Sequence, residues 1–320
     1  MKTAFIYKNT CHPVTQAYAH AIEATPYKII GVIDAIDKAI IIPSYNYYFI
    51  ESAMSMVVPI TKRIMGKKCK IIYRGNDGLF GEKTAAYLHS NNPIKRCFLK
   101  FFIYHMDGIS VESEKQINEV REYTHVPVEV CESFVKNKKQ LEKIKPRVNT
   151  NTFLFIGEYR PPYDHKGIQF LIEVCNNIPE CKLIIIGKNT KQLEKYAKKN
   201  ITILDYVDNM TVYWKQATFY IHLPKYEAGP ITLLEAMIAG LIPITNTNAG
   251  HADIVKKINK DLVLYPATQE ATARQIRDLI KMPIEKRKKI SETFKKNAAF
   301  LYAEKEMTAK FQKTWNRLIT

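Results

Sequence analysis

Between Tyr226 and Ala236 the chain reads YEAGPITLLEA, with Glu227 and Glu235 eight positions apart around Gly229, Pro230 and an apolar run. Proline suits the first turn of a helix, because its missing N–H would have no intrahelical partner there and its φ is already helical. The stretch therefore predicts a loop that turns on Gly229 and a helix that starts at Pro230. At that helix's positive end the N–H groups of Ile231, Thr232 and Leu233 would be free to meet a phosphate or a sugar hydroxyl. Glu235, one turn after Ile231, would reach the same mouth, where a carboxylate can accept both hydrogen bonds of a vicinal ribose diol. Glu227 would stand in the loop beside it. Two glutamates at this spacing arise readily by chance, so the weight falls on the elements that position them.

Those elements are well marked. Ile221-His222-Leu223-Pro224 reads as a buried strand, Gly240 ends the helix, and Ile242-Pro243-Ile244-Thr245 opens another strand. Strand, loop, helix, glycine and strand form an α/β unit whose ligand end is the carboxyl edge of the sheet. This pattern resembles the retaining nucleotide-sugar glycosyltransferases of the GT-B fold, family 4-like (glycosyl transferases group 1), whose signature is Glu, seven residues, Glu. The resemblance implies an α/β fold class with GT-B architecture, two Rossmann-like domains whose parallel sheets face across a cleft. It implies that Glu235 holds the nucleotide ribose and that Glu227 lies near the donor sugar.

Further along the same resemblance, Gly157-Glu158-Tyr159-Arg160 and Lys166-Gly167 are similar to the segment with which the family grips the donor diphosphate. Arg160 falls two positions later than in the family pattern. A leaving diphosphate builds negative charge, and fixed cations stabilise it more in the transition state than before it. Two surface cations beside the Pro161-Pro162 turn are the competing reading. Gly250, within Asn248 to Asp253, resembles the family's loop that closes the donor pocket. The implied reaction is glycosyl transfer with retention, carried by Glu227, Lys166 and Arg160. It follows a front-face route in which the donor phosphate helps take the acceptor's proton. The sequence holds no D-x-D triplet, so no metal is expected, and no cofactor beyond a UDP-linked or GDP-linked sugar donor.

The amino-terminal half is less explicit. Lys2 to Tyr7 predicts a strand and Val14 to Ala24 a helix, joined by Asn9-Thr10-Cys11-His12-Pro13 without the glycines usual in the family. Tyr27 to Ile33 and Lys38 to Pro43 read as strands, and Asn46 to Met65 as an apolar helix broken near Pro59. Ser44-Tyr45-Asn46 then occupy the place where relatives often carry a histidine near the reacting centre. Cys69 to Tyr73 is a strand leading into Arg74-Gly75-Asn76-Asp77-Gly78, a candidate functional loop. His12, Tyr45, Asn46 and Asp77 form the acceptor-side set, with plain polar loops and an Asn-Asp-Gly turn as the competing reading. Lys95 to Phe102 mixes cations with aromatics on a helix. Such a face can lie on an anionic membrane, or can be core with snorkelling lysines.

These signals divide the chain into 1–135, an amino-terminal acceptor-side domain; 136–150, a charged linker; 151–290, the nucleotide-sugar-binding domain; and 291–320, a helix crossing back with Trp315 as its anchor. With 320 residues and 46% hydrophobic content the chain can bury a large core. The 48 basic and 31 acidic residues leave a formal charge of +17, which attracts anionic partners. The lysines are scattered and no reading motif stands among them, so nucleic acid is disfavoured. Six cysteines without C-x-x-C or zinc spacing point to reduced thiols. With no leader and no run of about 18 apolar residues, the expectation is a cytoplasmic protein, associated at most peripherally with a membrane. Two alternatives stay open: a nucleotide-sugar-binding protein without transferase activity, and a nucleic-acid-binding or nucleic-acid-modifying protein.

Overall fold

A computed structural model of the chain describes residues 2–9, 11–75, 92–265, 268–299 and 302–320. They fall into two units, Met1–Phe134 with Glu304–Thr320, and Val135–Ala303. Each is built on a six-stranded parallel sheet. In the first the spatial order is β2 (Thr25–Ile29), β1 (Thr3–Lys8), β3 (Tyr47–Ile50), β4 (Lys70–Gly75), β5 (Gly108–Val111) and β6 (Val128–Val130). In the second it is β12 (Val263–Leu264), β11 (Ile242–Asn246), β10 (Phe219–His222), β7 (Thr152–Ile156), β8 (Lys182–Ile186) and β9 (Ile201–Leu204). Sheets covered on both faces need apolar side chains on both, hence the continuous runs TFLFI in β7 and KLIII in β8.

Helices α1 (Pro13–Ala21), α2 (Val32–Ile41), α3 (Val57–Ile64), α4 (Pro93–Tyr104) and α5 (Glu114–Arg121) belong to the first unit. Here the structure departs from the sequence reading. Lys38 to Pro43 is not a strand: Lys38 to Ile41 close α2, whose Ala35 and Ala39 face the core while isoleucines occupy the other side. Taken alone, the apolar close Ala39-Ile40-Ile41-Ile42 reads like a strand; the helical period shows only over the whole of Val32–Ile41. The strand is instead Tyr47–Ile50, inside the stretch expected to be helical. Pro59 lies in the first turn of α3, where proline is tolerated.

The second unit carries α6 (Lys138–Leu141), α7 (Ile168–Asn176), α8 (Thr211–Gln216), α9 (Ile231–Ala239), α10 (Ala252–Ile258), α11 (Gln269–Lys281) and α12 (Ile284–Ala299). Residues 136–150, charged as they are, pack into this unit: Leu141 and Ile144 are buried and α6 lies on α9. The unit extends to Ala303. The last helix, α13 (Glu304–Ile319), belongs to the first unit. Phe311 stacks on Tyr18 at 4.5 Å between ring centres, and Trp315 meets Phe49 edge-on at 5.7 Å. Among the described residues no helix is long and apolar enough to cross a membrane.

Candidate active site

In the second sheet β7 and β10 are neighbours although the chain places two strands between them. From that seam successive strands lead away in opposite directions, which opens a crevice at their carboxyl ends. The loops after these two strands supply the charged side chains. Lys166, following β7, donates from Nζ to Glu227 Oε1 at 2.7 Å. His222, the last residue of β10, sets Nε2 2.7 Å from Glu227 Oε2. His222 is wholly buried, whereas Lys166 and Glu227 keep 17% and 20% of their side chains exposed.

Local sequence explains how residues 61 apart meet. Asp164 accepts the backbone N–H groups of Ile168 and Gln169 at 2.9 and 2.7 Å, capping α7 and fixing the loop that carries Lys166. Gly167 has φ +71, and a Cβ there would lie 2.4 Å from the Leu223 carbonyl oxygen, so only glycine lets this loop approach the end of β10. A Cβ on Gly157 would meet Lys166 Cδ at 2.8 Å; the bare backbone is the lysine's seat. On the other side the loop after β11 is clipped to Glu227, whose N–H donates to the Asn248 carbonyl at 3.2 Å and whose carbonyl accepts from Gly250 at 2.8 Å.

Gly229 and Pro230 join Glu227 to α9, which begins at Ile231 with Pro230 as its N-cap. Of the three N–H groups expected free at the helix start, that of Leu233 donates back to the Pro230 carbonyl at 3.1 Å. The Thr232 hydroxyl accepts from the buried Tyr220 phenol at 2.6 Å, pinning the first turn to β10. Glu235, in the second turn, lines a cavity of about 740 Å³ together with Ile156, Gly187, Tyr206, Met210 and Trp214.

The two glutamates are electrostatic opposites. Burial works against ionising Glu227, but His222 and Lys166 outweigh it and hold the carboxyl well below the usual carboxylate range. Glu235 has no such help among the described residues, and burial pushes it up to about 7. One carboxylate is therefore a fixed anion, and the other titrates near neutrality.

Other candidates fall elsewhere. Arg160 bonds to Glu158 through Nε and Nη2 at 2.7 and 2.6 Å and is 60% exposed. Tyr45 and Asn46 precede β3 instead of following a strand. Asn46 accepts from Lys70 and donates to Lys2 at the amino edge of the sheet, and the Tyr45 hydroxyl lies 2.5 Å from that of Tyr27. The misplaced strand put them at the wrong edge, and they leave the acceptor set. His12 does follow β1 and caps α1, its backbone N–H donating to Glu51 Oε1 at 3.1 Å. Asp77 lies outside the described residues. Sequence reasoning missed His222, read as strand filling, Asp164, hidden in the Pro-Pro turn, and Glu51, assigned to a helix.

Residues 136–297, half of the chain, match the family described as glycosyl transferases group 1. No curated protein matches the sequence. Solved structures share the fold at low identity. Sucrose-phosphate synthase from Thermosynechococcus elongatus superposes with a TM-score of 0.77 at 12% identity over 99% of both chains. HepE from Anabaena, in complex with UDP and glucose, gives 0.76 at 11% over 99% of this chain and 100% of its own. WaaG, a glycosyltransferase involved in lipopolysaccharide biosynthesis, gives 0.66 at 16% over 97% and 99%. The two Rossmann-like units are thus those of the GT-B fold.

Proposed function

Because the chain belongs to the glycosyl transferases group 1 family, we propose that this glycosyltransferase takes its sugar from a nucleotide-sugar donor held by the second unit and transfers it with retention, without a metal. The observation that carries the reading is Glu235, a carboxylate lining a cavity of about 740 Å³ at the carboxyl edge of a parallel sheet. There it accepts both hydroxyl hydrogen bonds of the ribose. HepE is known in complex with UDP and with UDP-glucose, which favours a UDP-linked donor over a GDP-linked one.

Lys166 spends one of its three N–H groups on Glu227, and the remaining two serve the donor diphosphate. As the bond from the anomeric carbon to the diphosphate breaks, charge grows on the leaving oxygen, and the lysine, already seated on Gly157, stabilises it without reorganising. The acceptor oxygen bonds to the anomeric carbon on the face the diphosphate leaves, and its proton passes to a phosphate oxygen. Glu227 orients the sugar while anchoring Lys166. The acceptor, a glycan, lipid-linked or protein hydroxyl, belongs to the first unit, with His12 and Glu51 at the carboxyl edge of its sheet.

Calorimetric titration with UDP, GDP, ADP and their sugar conjugates tests the donor site. Glu235→Ala should weaken binding of the preferred nucleotide by about 1.5–3 kcal/mol, the scale of a hydrogen bond to a charged group. Equal affinity in variant and wild type would remove Glu235 from the ribose.

A further inference from the structure

Right-handed crossovers lay α2, α3 and α4 on one face of the first unit's sheet. There α2 packs on α3, and α2 and α4 both touch the short 3-10 turn Ala53–Met56. Their inner sides are ordinary core, with Ala35, Ala39, Val58, Ile60 and Ile103 buried. Their outer sides are not polar. Ile33, Ile36 and Ile40 project from α2 at helical spacing, Ile64 ends α3, and Phe98 and Phe101 project from α4; Ile33, Ile64 and Phe98 are 77%, 78% and 58% exposed. Among the described residues of the second unit the exposed large apolar side chains are fewer and mostly tyrosines, Tyr163, Tyr196, Tyr206 and Tyr265. Apolar excess is therefore concentrated on one three-helix face, far beyond the isolated exposed residues that need no account.

The charges on and around that face choose its occupant. Lys67 and Lys68 follow α3, Arg96 and Lys100 lie in α4, and all four are exposed. Of the α2 acids, Asp34 is paired with Lys38 at 3.1 Å, which leaves exposed Asp37. Cations interleaved with large apolar side chains, on a chain of net charge +17, match a surface that is anionic in its headgroups and apolar just beneath.

We infer that this face docks the first unit on an anionic membrane surface. The α2, α3 and α4 side chains enter the boundary between headgroups and acyl chains, and Lys67, Lys68, Arg96 and Lys100 meet lipid phosphates. The inference is independent of the donor reading, since it concerns the other unit.

Co-sedimentation of the full chain with vesicles tests it. The protein should pellet with vesicles of phosphatidylglycerol and phosphatidylcholine in equal parts, and remain in the supernatant with phosphatidylcholine alone. Two variants, Ile36→Asp with Ile40→Asp and Phe98→Ser with Phe101→Ser, should each lower the partition coefficient about tenfold or more, with unchanged circular dichroism and nucleotide binding. Because the pairs lie on different helices, a folding defect in one leaves the other to decide. Wild-type protein that ignores the anionic vesicles would overturn the proposal. So would apolar variants that bind as well as wild type, which would reduce the effect to general charge attraction. A wild-type dimer in solution that these same substitutions dissociate would also overturn it, giving the face to a second copy of the chain.

Discussion

Two ion pairs of the same length stand at the carboxyl ends of parallel strands, one in each unit. Arg74 Nη2 lies 2.7 Å from Glu112 Oε1, and Lys166 Nζ lies 2.7 Å from Glu227 Oε1. Their surroundings differ. Arg74 and Glu112 are 0% and 5% exposed. The guanidinium also donates to Ser110 Oγ at 2.9 Å and to the Cys131 carbonyl at 2.6 Å, lies over the Tyr18 ring, and has its carboxylate partner covered by Ser133. Lys166 and Glu227 keep a side open to solvent, and among the described residues the lysine's only hydrogen bond goes to Glu227. Distance does not separate a sealed strut from an open pair; access and spare hydrogen-bonding capacity do. The sealed pair ties together the ends of β4, β5 and β6, while the open one is ready to bind something.

Substitutions at the two pairs should therefore fail in different ways. The largest effect is expected from Arg74→Met, which strands Glu112 as a buried charge and should cost the first unit about 3–5 kcal/mol, read from its denaturant transition. A loss below about 1 kcal/mol would mean that the pair is not sealed in solution. Lys166→Ala should instead lower kcat/KM on the order of 10²-fold, about 2.7 kcal/mol of transition-state stabilisation, with a melting temperature close to wild type. Activity within about threefold of wild type would take Lys166 out of the reaction.

Glu235 sharpens the contrast because among the described residues no cation offsets its burial. Its carboxyl, pushed up to about 7, must ionise to accept two hydrogen bonds from a diol, so nucleotide affinity should rise as pH climbs through 7 and level off above it. Stability runs the other way. The folded state holds this proton more tightly than the unfolded one, so Glu235 contributes least cost below its unfolded value and most above pH 7. Glu235→Gln should show a flat affinity profile by titration calorimetry and a gain in melting temperature that is absent below the ordinary carboxyl value of 4.5, grows between there and about 7, and levels off above it; a wild-type profile without slope would refute the assignment. The smallest effect is expected at Arg160. Its exposed bond to Glu158 should be worth less than about 1 kcal/mol, and Arg160→Ala should leave kcat/KM within about twofold, whereas a tenfold loss would return it to the diphosphate.

The second unit was the more legible half. Its strands β7 and β8 are apolar runs each followed by a glycine, Gly157 and Gly187, and Gly229-Pro230 announces the helix that Gly240 ends. In the first unit the helix Val32–Ile41 ends in an apolar run that by itself reads like a strand, and the four residues of Tyr47–Ile50 gave too short a run to stand out from the helix expected around them. Within the site, the spacing of the glutamates marked α9, but what seats Lys166 on Glu227 could not be read locally. It needs Asp164 to cap α7 and Gly167 to clear the Leu223 carbonyl. His222 gave no signal because a histidine closing a buried strand looks like any other core residue until its partner, five positions on, turns back to meet it.

The return of α13 has a consequence for how the chain is made. Tyr18 and Phe49 find their aromatic partners Phe311 and Trp315 in a helix that the ribosome reaches only after the whole second unit. At about 5–20 residues per second, one flank of the first sheet waits roughly 10–30 s for its cover. During that interval a nascent first unit presents bare aromatic surface at Tyr18 and Phe49.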